Sequence, residues 1–404
     1  MTKHQNRTLG AFEKTFWLLD QIDSKDFALV IEVEGRESIE AWQLAVDQVQ
    51  KRHPNLTARI KMDEFKRPFI EHNESLKIPL RVLDVDNDFK WEQEVEKELA
   101  LGFNTEEGPL FRVVLLQKPE ETVLILVANH TLADGSSLMY LFRDLLDAVT
   151  GKTIDVLEPQ KSNDETLGLP DDISIANTDT IEYVFKKLDP VSPKVESIKF
   201  SIESTSQIIE RSRLEQTTAH GAICAAVVIA SRKLRKDWND KKIELISPIC
   251  TRKALQLGDN CGLNITTHPV YFEPEEQLTF WDIARFAKTG LKGTETAEHV
   301  HNYIQFFRQL TFNSTDIQQM IDTLKGAFNH QIMVTNLVKV KYKTDFGKLK
   351  LKSMYGPIVR SGKGMEQTIG AITSNDQLCL TNTSDNPISG LLVEMQNTLT
   401  EACK

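Results

Sequence analysis

An ionisable imidazole stands where a continuously apolar segment of the chain ends. The run Val123–Ala128 leads through Asn129 to His130, and Asp134 and Gly135 follow. A neutral imidazole, with a reference pKa of about 6.5, is suited to taking a proton at neutral pH. Asp134 has two candidate roles: it orients the imidazole like a triad carboxylate, or it pairs with an arginine and holds the loop. Gly135 permits the backbone angles that turn the chain into a helix.

A purely structural interpretation competes for the same residues. His130 can be a hydrogen-bonded histidine at a strand end, with Asp134 as the N-cap of the next helix. Ser136 and Ser137 are candidate nucleophiles, but hydroxyl residues at this point commonly cap a helix. Three fixed residue types also recur by chance in a chain of 404 residues, so the motif alone does not decide between the interpretations.

The elements around His130 are predicted from hydrophobic periodicity. Residues 122–130, TVLILVANH, are too apolar for a surface strand and are predicted to lie centrally in a sheet. Residues 136–150 carry apolar side chains at three- and four-residue steps, which predicts an amphipathic helix. Other helices are predicted within 9–22, 38–53, 180–188, 217–236, 276–292, 296–310, 315–326 and 387–404. Other strands are predicted within 27–35, 56–62, 79–85, 110–117, 242–250, 330–338, 348–355, 366–374 and 377–382.

Composition excludes several classes of protein. With 40% hydrophobic and 26% charged residues, the chain is typical of a globular protein. A net charge of -10 argues against nucleic-acid binding as the main function. The five scattered cysteines form no CxxC pair, so neither a disulfide framework nor a metal site is expected. No signal-peptide core and no membrane-spanning run is found, which predicts a cytoplasmic protein.

The order of patterns predicts two lobes of mixed character. Residues 1–155 form an N-terminal lobe that carries His130, and residues 196–404 form a C-terminal lobe. Residues 156–195 collect Pro, Asp, Asn and Ser and are predicted to be a linker or crossover. Both lobes alternate helices and strands, so the predicted fold class is α/β, or α+β, with mixed sheets.

The motif His130-x-x-x-Asp134-Gly135 resembles the HxxxDG signature of the CoA-dependent acyltransferase superfamily. That superfamily includes chloramphenicol acetyltransferase, the plant BAHD acyltransferases, nonribosomal-peptide condensation domains, and the polyketide-associated and alcohol acetyltransferases. Further blocks that resemble it follow in order along the chain: LGAFEKTFWLLDQ, RHPNLTARI, SPICTRKAL, LGDNCGLNI, VTNLVKV and TDFGKLKL.

Three departures narrow the resemblance to one branch. Thr57 stands where condensation domains usually carry an arginine, and Asn129 stands where they carry a second histidine. The segment Asp345-Phe346-Gly347 lacks the Trp-Gly ending of the plant enzymes. The chain is most similar to the polyketide-associated and alcohol acetyltransferase branch, whose members belong to secondary metabolism.

The resemblance implies two similar chloramphenicol-acetyltransferase-like lobes around a central tunnel. An acyl thioester of CoA or of carrier-bound phosphopantetheine would be the co-substrate, with no permanent cofactor. His130 would be the general base that transfers the acyl group to an alcohol, with Asp134 and Gly135 as structural members of the motif. The alternatives are an amide-forming, condensation-like enzyme that uses an acyl carrier protein, and a non-catalytic binding module of the same fold.

The partners of these residues remain open at this stage. Asn336 and Thr335 are candidates for the tunnel wall and for stabilising an oxyanion, although asparagine is also a common turn residue. Residues 232–242 form the one basic run; it docks a phosphate or a carrier protein, or is a solvated helix end. Cys224 and Cys250 are predicted to lie in the core. The candidate arginine partners of Asp134 are Arg59, Arg52, Arg252 and Arg360.

Overall fold

The computed structural model describes residues 6–65, 67–171, 191–274, 278–312, 317–328, 330–361 and 364–404. The helix predicted within 180–188 lies outside the described residues. The strands are β1 Arg7–Thr8, β2 Asp26–Glu34, β3 Ala58–Met62, β4 Pro68–His72, β5 Leu80–Asp84, β6 Phe111–Gln117, β7 Glu121–Asn129, β8 Lys194–Lys199, β9 Ile243–Cys250, β10 Ile265–Phe272, β11 Ile332–Lys339, β12 Lys350–Val359, β13 Gln367–Ser374 and β14 Gln377–Ser384. The helices are α1 Ala11–Asp20, α2 Ile39–Arg52, α3 Trp91–Leu101, α4 Gly135–Val149, α5 Asn163–Thr166, α6 Ile202–Leu214, α7 Ala219–Leu234, α8 Phe280–Gly290, α9 Ala297–Phe312, α10 Ile317–Ala327 and α11 Leu391–Ala402.

Within the described residues the strands form three sheets, two of which are large. One has five strands in the order β12-β2-β7-β6-β5, and the other has six in the order β10-β9-β11-β13-β14-β8. Both contain parallel and antiparallel pairs, so the predicted class of mixed sheets is confirmed. A third sheet pairs β1, β4 and β3.

Strand β7, which leads to His130, is central in its sheet as its apolar sequence predicted. It pairs antiparallel with β2 on one side and β6 on the other. Residues 122–129 are all buried. Buried polar side chains at the end of such a strand need hydrogen-bond partners, and Asn129 and His130 are two side chains of this kind.

Strand β12 crosses from the second half of the sequence into the sheet of the first. It pairs antiparallel with β2, with Met354 opposite Ile31. Strand β11, which precedes it, lies instead in the six-stranded sheet between β9 and β13. The pattern of residues 348–355 predicted a strand correctly but gave no indication that it would join the first half.

The sequence patterns did not predict several elements, including a short helix within the predicted linker. Strands β4, β8 and β10 and helices α3 and α6 were not predicted, since their apolar positions are few or irregular. Within residues 156–171 the chain forms the short helix α5, whose Asp164 accepts a hydrogen bond from Arg308 at 2.7 Å. The division into lobes and linker stays a prediction.

Two hydrophobic cores support the architecture. One combines the five-stranded sheet with α1, α2 and α4 and also takes in α9 and α10. The other lies among α7, α8, α11 and the six-stranded sheet. Helix α1 therefore packs against helices from far along the chain, with Phe12 in ring contact with Tyr303 and Phe307. No helix in the described ranges is long and apolar enough to span a bilayer.

Candidate active site around His130

The His130 ring is fixed on two faces and at one nitrogen. It stacks on Phe27 with ring centroids 4.0 Å apart and on Phe16 at 4.9 Å. Its backbone N–H donates to the Lys25 carbonyl at 2.9 Å. The Nδ1 atom lies 3.1 Å from the carbonyl oxygen of Ala133, which can only accept, so Nδ1 carries the hydrogen. The lone pair is therefore on Nε2, where no described residue donates a hydrogen bond.

Burial keeps the imidazole neutral. It lowers the pKa of His130 to about 4, although the Ala133 carbonyl and the Asp134 charge act in the opposite direction. The positive charge of Lys25 adds to the lowering. The side chain is only 7% exposed. A neutral ring with an unprotonated Nε2 is the state that a general base requires.

Asp134 does not contact the imidazole; it holds the loop instead. It is the N-cap of α4 and accepts from the Ser137 backbone N–H at 2.8 Å. Its other oxygen accepts from the Asn264 N–H at 2.8 Å and from Arg252 Nη1 at 2.7 Å. Of the two roles considered for Asp134, these contacts match the arginine-paired lock and not the triad carboxylate.

Arg252 is the arginine that contacts Asp134. Its side chain is 6% exposed, and Nη2 also donates to the Ser137 hydroxyl at 2.8 Å and to the Asn260 carbonyl at 3.2 Å. Arg252 belongs to the block SPICTRKAL in the second half of the sequence. The sequence alone did not show that this block lies next to Asp134. The other three candidates form ion pairs elsewhere: Arg52 with Asp144, Arg59 with Glu71, and Arg360 with Asp23 and Asp385.

Gly135 is required for a close approach and not for its backbone angles. Its φ is not among the positive values of the chain, so the expectation of a special turn conformation was wrong. A Cβ atom here would lie 2.8 Å from Pro357 Cγ and 3.0 Å from Leu337 Cδ2. Both contacts come from the second half of the sequence, so Gly135 lets the two halves meet beside the histidine.

A cavity of about 810 Å³ opens in front of His130. Its wall combines Ser136 and Tyr140 of α4 with Met333, Thr335 and Asn336 of β11. Part of the cavity wall follows β11 from Met333 to Lys339, and both predicted wall residues, Thr335 and Asn336, belong to it.

Asn336 was considered as a residue of the tunnel wall and as a turn residue, and the structure has features of both. Its Oδ1 accepts from the Val338 N–H at 2.7 Å, within an irregular stretch of β11 where Val338 has φ of +57°. A β-branched residue in the left-handed region is strained, so this hydrogen bond stabilises an unfavourable backbone. The side-chain amide of Asn336 remains at the cavity wall.

The cavity wall is basic, although the chain is acidic. The cationic lining residues are Lys25, Arg252, Lys253, Lys325, Lys339, Lys341 and Arg360, and the anionic ones are Asp23 and Glu366. The predicted basic run 232–242 contributes nothing to this wall; Lys233 pairs there with Glu394. Cys250 is exposed and lines the cavity, so its placement in the core was wrong, whereas Cys224 is buried as predicted.

The sequence patterns missed two groups around His130. Phe27 stacks on the imidazole, and the carboxyl groups of Asp20 and Asp26 both accept hydrogen bonds from Nδ2 of Asn129, the residue before His130. The signal was present in the pairing of two predicted strands, since Asp26 lies opposite Asn129 in the β2–β7 register. Strand pairing is not readable from one sequence. In the described ranges no cluster of three or more His, Cys, Asp or Glu residues is placed to hold a metal ion.

Comparisons of sequence place this chain beside multidomain synthases. Residues 17–161 match the family model of the condensation domain. Bacitracin synthase 3 of Bacillus licheniformis is 21% identical over 327 residues, which cover 72% of this chain and 5% of the synthase. The chain therefore spans only a small part of the length of the synthase that it matches.

Comparisons of structure agree over the full length. Polyketide synthase associated protein 5 from Mycobacterium tuberculosis superposes with a TM-score of 0.70 at 14% identity, covering 100% of this chain and 99% of that one. The first condensation domain of the CDA synthetase gives a TM-score of 0.70 at 15% identity, covering 100% and 97%. At such identities the likeness concerns the fold.

Proposed function

Starting from the condensation-domain fold of the chloramphenicol-acetyltransferase-like superfamily, which this chain has along its whole length, we propose that it is an acyltransferase with His130 as general base. The observation that carries the proposal is the state of the imidazole. It is buried and neutral, its Nδ1–H is held by the Ala133 carbonyl, and the residue lines a cavity of about 810 Å³.

The proposed reaction needs no covalent acyl-enzyme. A hydroxyl group of the acceptor gives its proton to His130 Nε2 while its oxygen attacks the carbonyl carbon of the acyl thioester. The tetrahedral intermediate collapses, the carbon–sulfur bond breaks, and the proton passes to the leaving sulfur. Proton transfer by a positioned side chain contributes about 10²–10⁴-fold to the rate. Asn336 and Thr335 are the polar groups of the opposite wall that can hydrogen-bond the oxyanion.

The donor is proposed to be acyl-CoA or an acyl-phosphopantetheine on a carrier protein, with no permanent cofactor. The basic wall supports an anionic donor, since Lys253 and Lys341 form no ion pair with any described residue. Both follow neighbouring parallel strands, β9 and β11, and so lie at one edge of the sheet. The partners that this proposal implies are a small-molecule acceptor and an acyl thioester, the latter carried by CoA or by an acyl carrier protein.

Amide formation on carrier-bound substrates is the second candidate. The match of residues 17–161 to the condensation-domain model and the likeness to bacitracin synthase 3 favour it. Asn129 in place of the second histidine favours ester formation instead. The acceptor, an amine or an alcohol, distinguishes the two candidates in one assay.

The test is thiol release from a panel of acyl-CoAs and acyl carrier proteins, each with mixed alcohols or mixed amines. We expect release that needs an acceptor and falls by about 10²–10⁴-fold in His130→Ala. The matched control is His301→Ala, which removes an imidazole that does not line the cavity and should leave the rate unchanged. The pKa of His130 predicts an acid limb of kcat/KM near pH 4. Equal rates in wild type and His130→Ala, or no release from either donor type, would show that the proposal is wrong and favour the binding module.

A further inference from the structure

Two buried carboxyl groups that the proposed reaction does not use lie behind His130. Asp20 is 3% exposed and Asp26 is 1% exposed. The Nδ2 group of Asn129 donates to Asp20 Oδ1 at 2.8 Å and to Asp26 Oδ1 at 2.9 Å. Two oxygens that accept from one NH2 group lie on the order of 5 Å apart. Like charges at that distance in a buried site resist ionising together.

The hydrogen bonds indicate which carboxyl group holds the proton. Asp20 Oδ1 accepts a second hydrogen bond, from the Lys25 N–H at 2.8 Å, and this favours its ionised form. Asp26 Oδ2 lies 2.7 Å from the Ser24 hydroxyl, which can accept as well as donate. Burial and the charge of Asp20 raise the pKa of Asp26 to about 7. Below that pH one proton resides on the pair, chiefly on Asp26.

This pair is joined to His130 by three short connections. Asn129, which bridges the carboxyl groups, directly precedes His130. The residue before Asp26 is Lys25, whose carbonyl accepts the His130 N–H at 2.9 Å. The residue after it is Phe27, whose ring stacks on the imidazole at 4.0 Å. Any movement of Asp26 is therefore transmitted to the backbone and to one face of the His130 ring.

We propose that Asp20, Asp26 and Asn129 form a proton-dependent clamp that positions His130, closed while the carboxyl pair holds one proton and loosened when it loses that proton. The three are positioning residues, because none of them lines the cavity. The inference rests on the proposed function where it is tested by activity. The tests by chemical shift and by stability depend only on the contacts of the clamp.

The charged surroundings do not offer Asp26 another counter-charge in contact. Arg112 of β6 attracts it from a distance and is itself paired with Glu98. Lys25, on the same loop, directs its ammonium group to Asp23 at 3.2 Å. Asp26 forms no ion pair within the described part of the chain. A negative charge on Asp26 is therefore countered by the Ser24 hydroxyl, by the distant charge of Arg112 and by the Asn129 amide, in that order, and by no cation in contact.

The decisive variant is Asp26→Asn, which retains the shape of a protonated carboxyl group and cannot ionise. If the ionised clamp is inactive, wild-type kcat/KM at pH 8 falls to about one tenth of its value at pH 6. In Asp26→Asn the alkaline limb near pH 7 disappears, while the acid limb from His130 stays. The matched control is Asp164→Asn, another buried carboxyl group with a raised pKa but without contact to Asn129. It should retain the alkaline limb.

Two further measurements do not depend on the activity. The ¹⁵N chemical shifts of the His130 ring should change between pH 6 and pH 8 in the wild type, although the ring itself stays neutral there. They should stay constant in Asp26→Asn. The free energy of unfolding should fall across the same interval in the wild type and less steeply in the variant. A merely structural Asp26 would alter stability but would not move the ring signals.

The outcomes separate the clamp from the proposed function. Ring shifts that follow pH in the wild type and not in Asp26→Asn support the clamp even if no acyl transfer is found. Identical ring shifts and identical pH profiles in wild type and Asp26→Asn overturn the clamp even if His130→Ala abolishes acyl transfer. A change of the same size in Asp164→Asn would overturn it as well, since that variant leaves the clamp intact.

Discussion

Two buried carboxyl sites flank His130, and they are stabilised in opposite ways. Asp134 is fully buried and is paired with the guanidinium of Arg252 at 2.7 Å. Asp26 is equally buried but is held by an amide, a hydroxyl group and the proton that it keeps up to about pH 7. The first is an ion pair, and the second is a hydrogen-bonded acid.

The difference lies also in where the partners come from. The donors to Asp134 include Arg252 and Asn264, more than 100 residues along the chain. The partners of Asp26 both belong to the first half of the sequence: Asn129 at the end of β7, 103 residues away, and Ser24 in the loop before β2. A neighbouring cation stabilises the charged form of a buried carboxylate over a wide pH range, whereas a bound proton removes the charge and is retained only below the pKa of the group. The stability of the Asp134 site should thus depend on contacts between the two halves of the sequence, and the stability of the Asp26 site should depend on pH.

The largest effect is expected from Arg252→Met, which leaves Asp134 buried without its cation. Removing one partner of a buried ion pair costs about 3–5 kcal/mol of unfolding free energy. Urea unfolding measures it. The matched control is Arg59→Met, since the pair of Arg59 with Glu71 is 25% and 29% exposed and should contribute about 0–1 kcal/mol. Similar losses in both variants would contradict the structural role of the Arg252 pair.

Converting each aspartate to asparagine should change stability in opposite directions at pH 8. Asp134→Asn removes the charge that Arg252 needs and places an NH2 group against donors, so it should lower the unfolding free energy at pH 8. Asp26→Asn replaces a group whose raised pKa makes the wild type lose stability as pH rises from about 4 to about 7. At pH 8, where the wild-type carboxyl group has lost its proton, Asp26→Asn should therefore have a higher unfolding free energy than the wild type. Changes of the same sign would remove the contrast between the two sites.

Gly135→Ala should disturb only the Asp134 side of the histidine. The added Cβ would lie 2.8 Å from Pro357 and 3.0 Å from Leu337, and overpacking costs about 1–3 kcal/mol. Gly326→Ala in α10 is the control, since its Cβ meets nothing within 4 Å and should stabilise by up to about 1 kcal/mol. Thermal unfolding compares them. An unchanged thermal unfolding of Gly135→Ala would mean that Pro357 and Leu337 can move away from the added methyl group at little cost.

The smallest effects should come from the serine beside each carboxyl group. Ser137→Ala removes a hydroxyl group bonded to Arg252 and to Gly262 and should cost about 1–3 kcal/mol. Ser24→Ala removes a hydrogen bond that lowers the pKa of Asp26, so the alkaline midpoint should move to higher pH. Unfolding curves test the first and a pH profile tests the second. A downward shift in Ser24→Ala would contradict the hydrogen bond that Ser24 donates to the Asp26 carboxylate.

The sequence by itself determined much of the local framework of this site. The apolar run of β7 and the periodicity of α4 placed His130 at the end of a central strand and before a helix, as the structure has it. The order of motif blocks along the chain indicated the superfamily, because each block reports a local arrangement. Such features follow from residues that are neighbours in the chain, where periodicity and capping act directly.

Only the tertiary structure decided the partners. Four arginines were compatible with Asp134, and the choice of Arg252 depends on how the block after β9 folds over α4. The reason for Gly135 lies in Pro357 of β12, which enters the sheet of the first half, and in Leu337 of β11, which lies in the six-stranded sheet. The pairing of Asp26 with Asn129 depends on strand register. Contacts between distant segments are set by packing and register, and a single sequence does not encode them as a readable period.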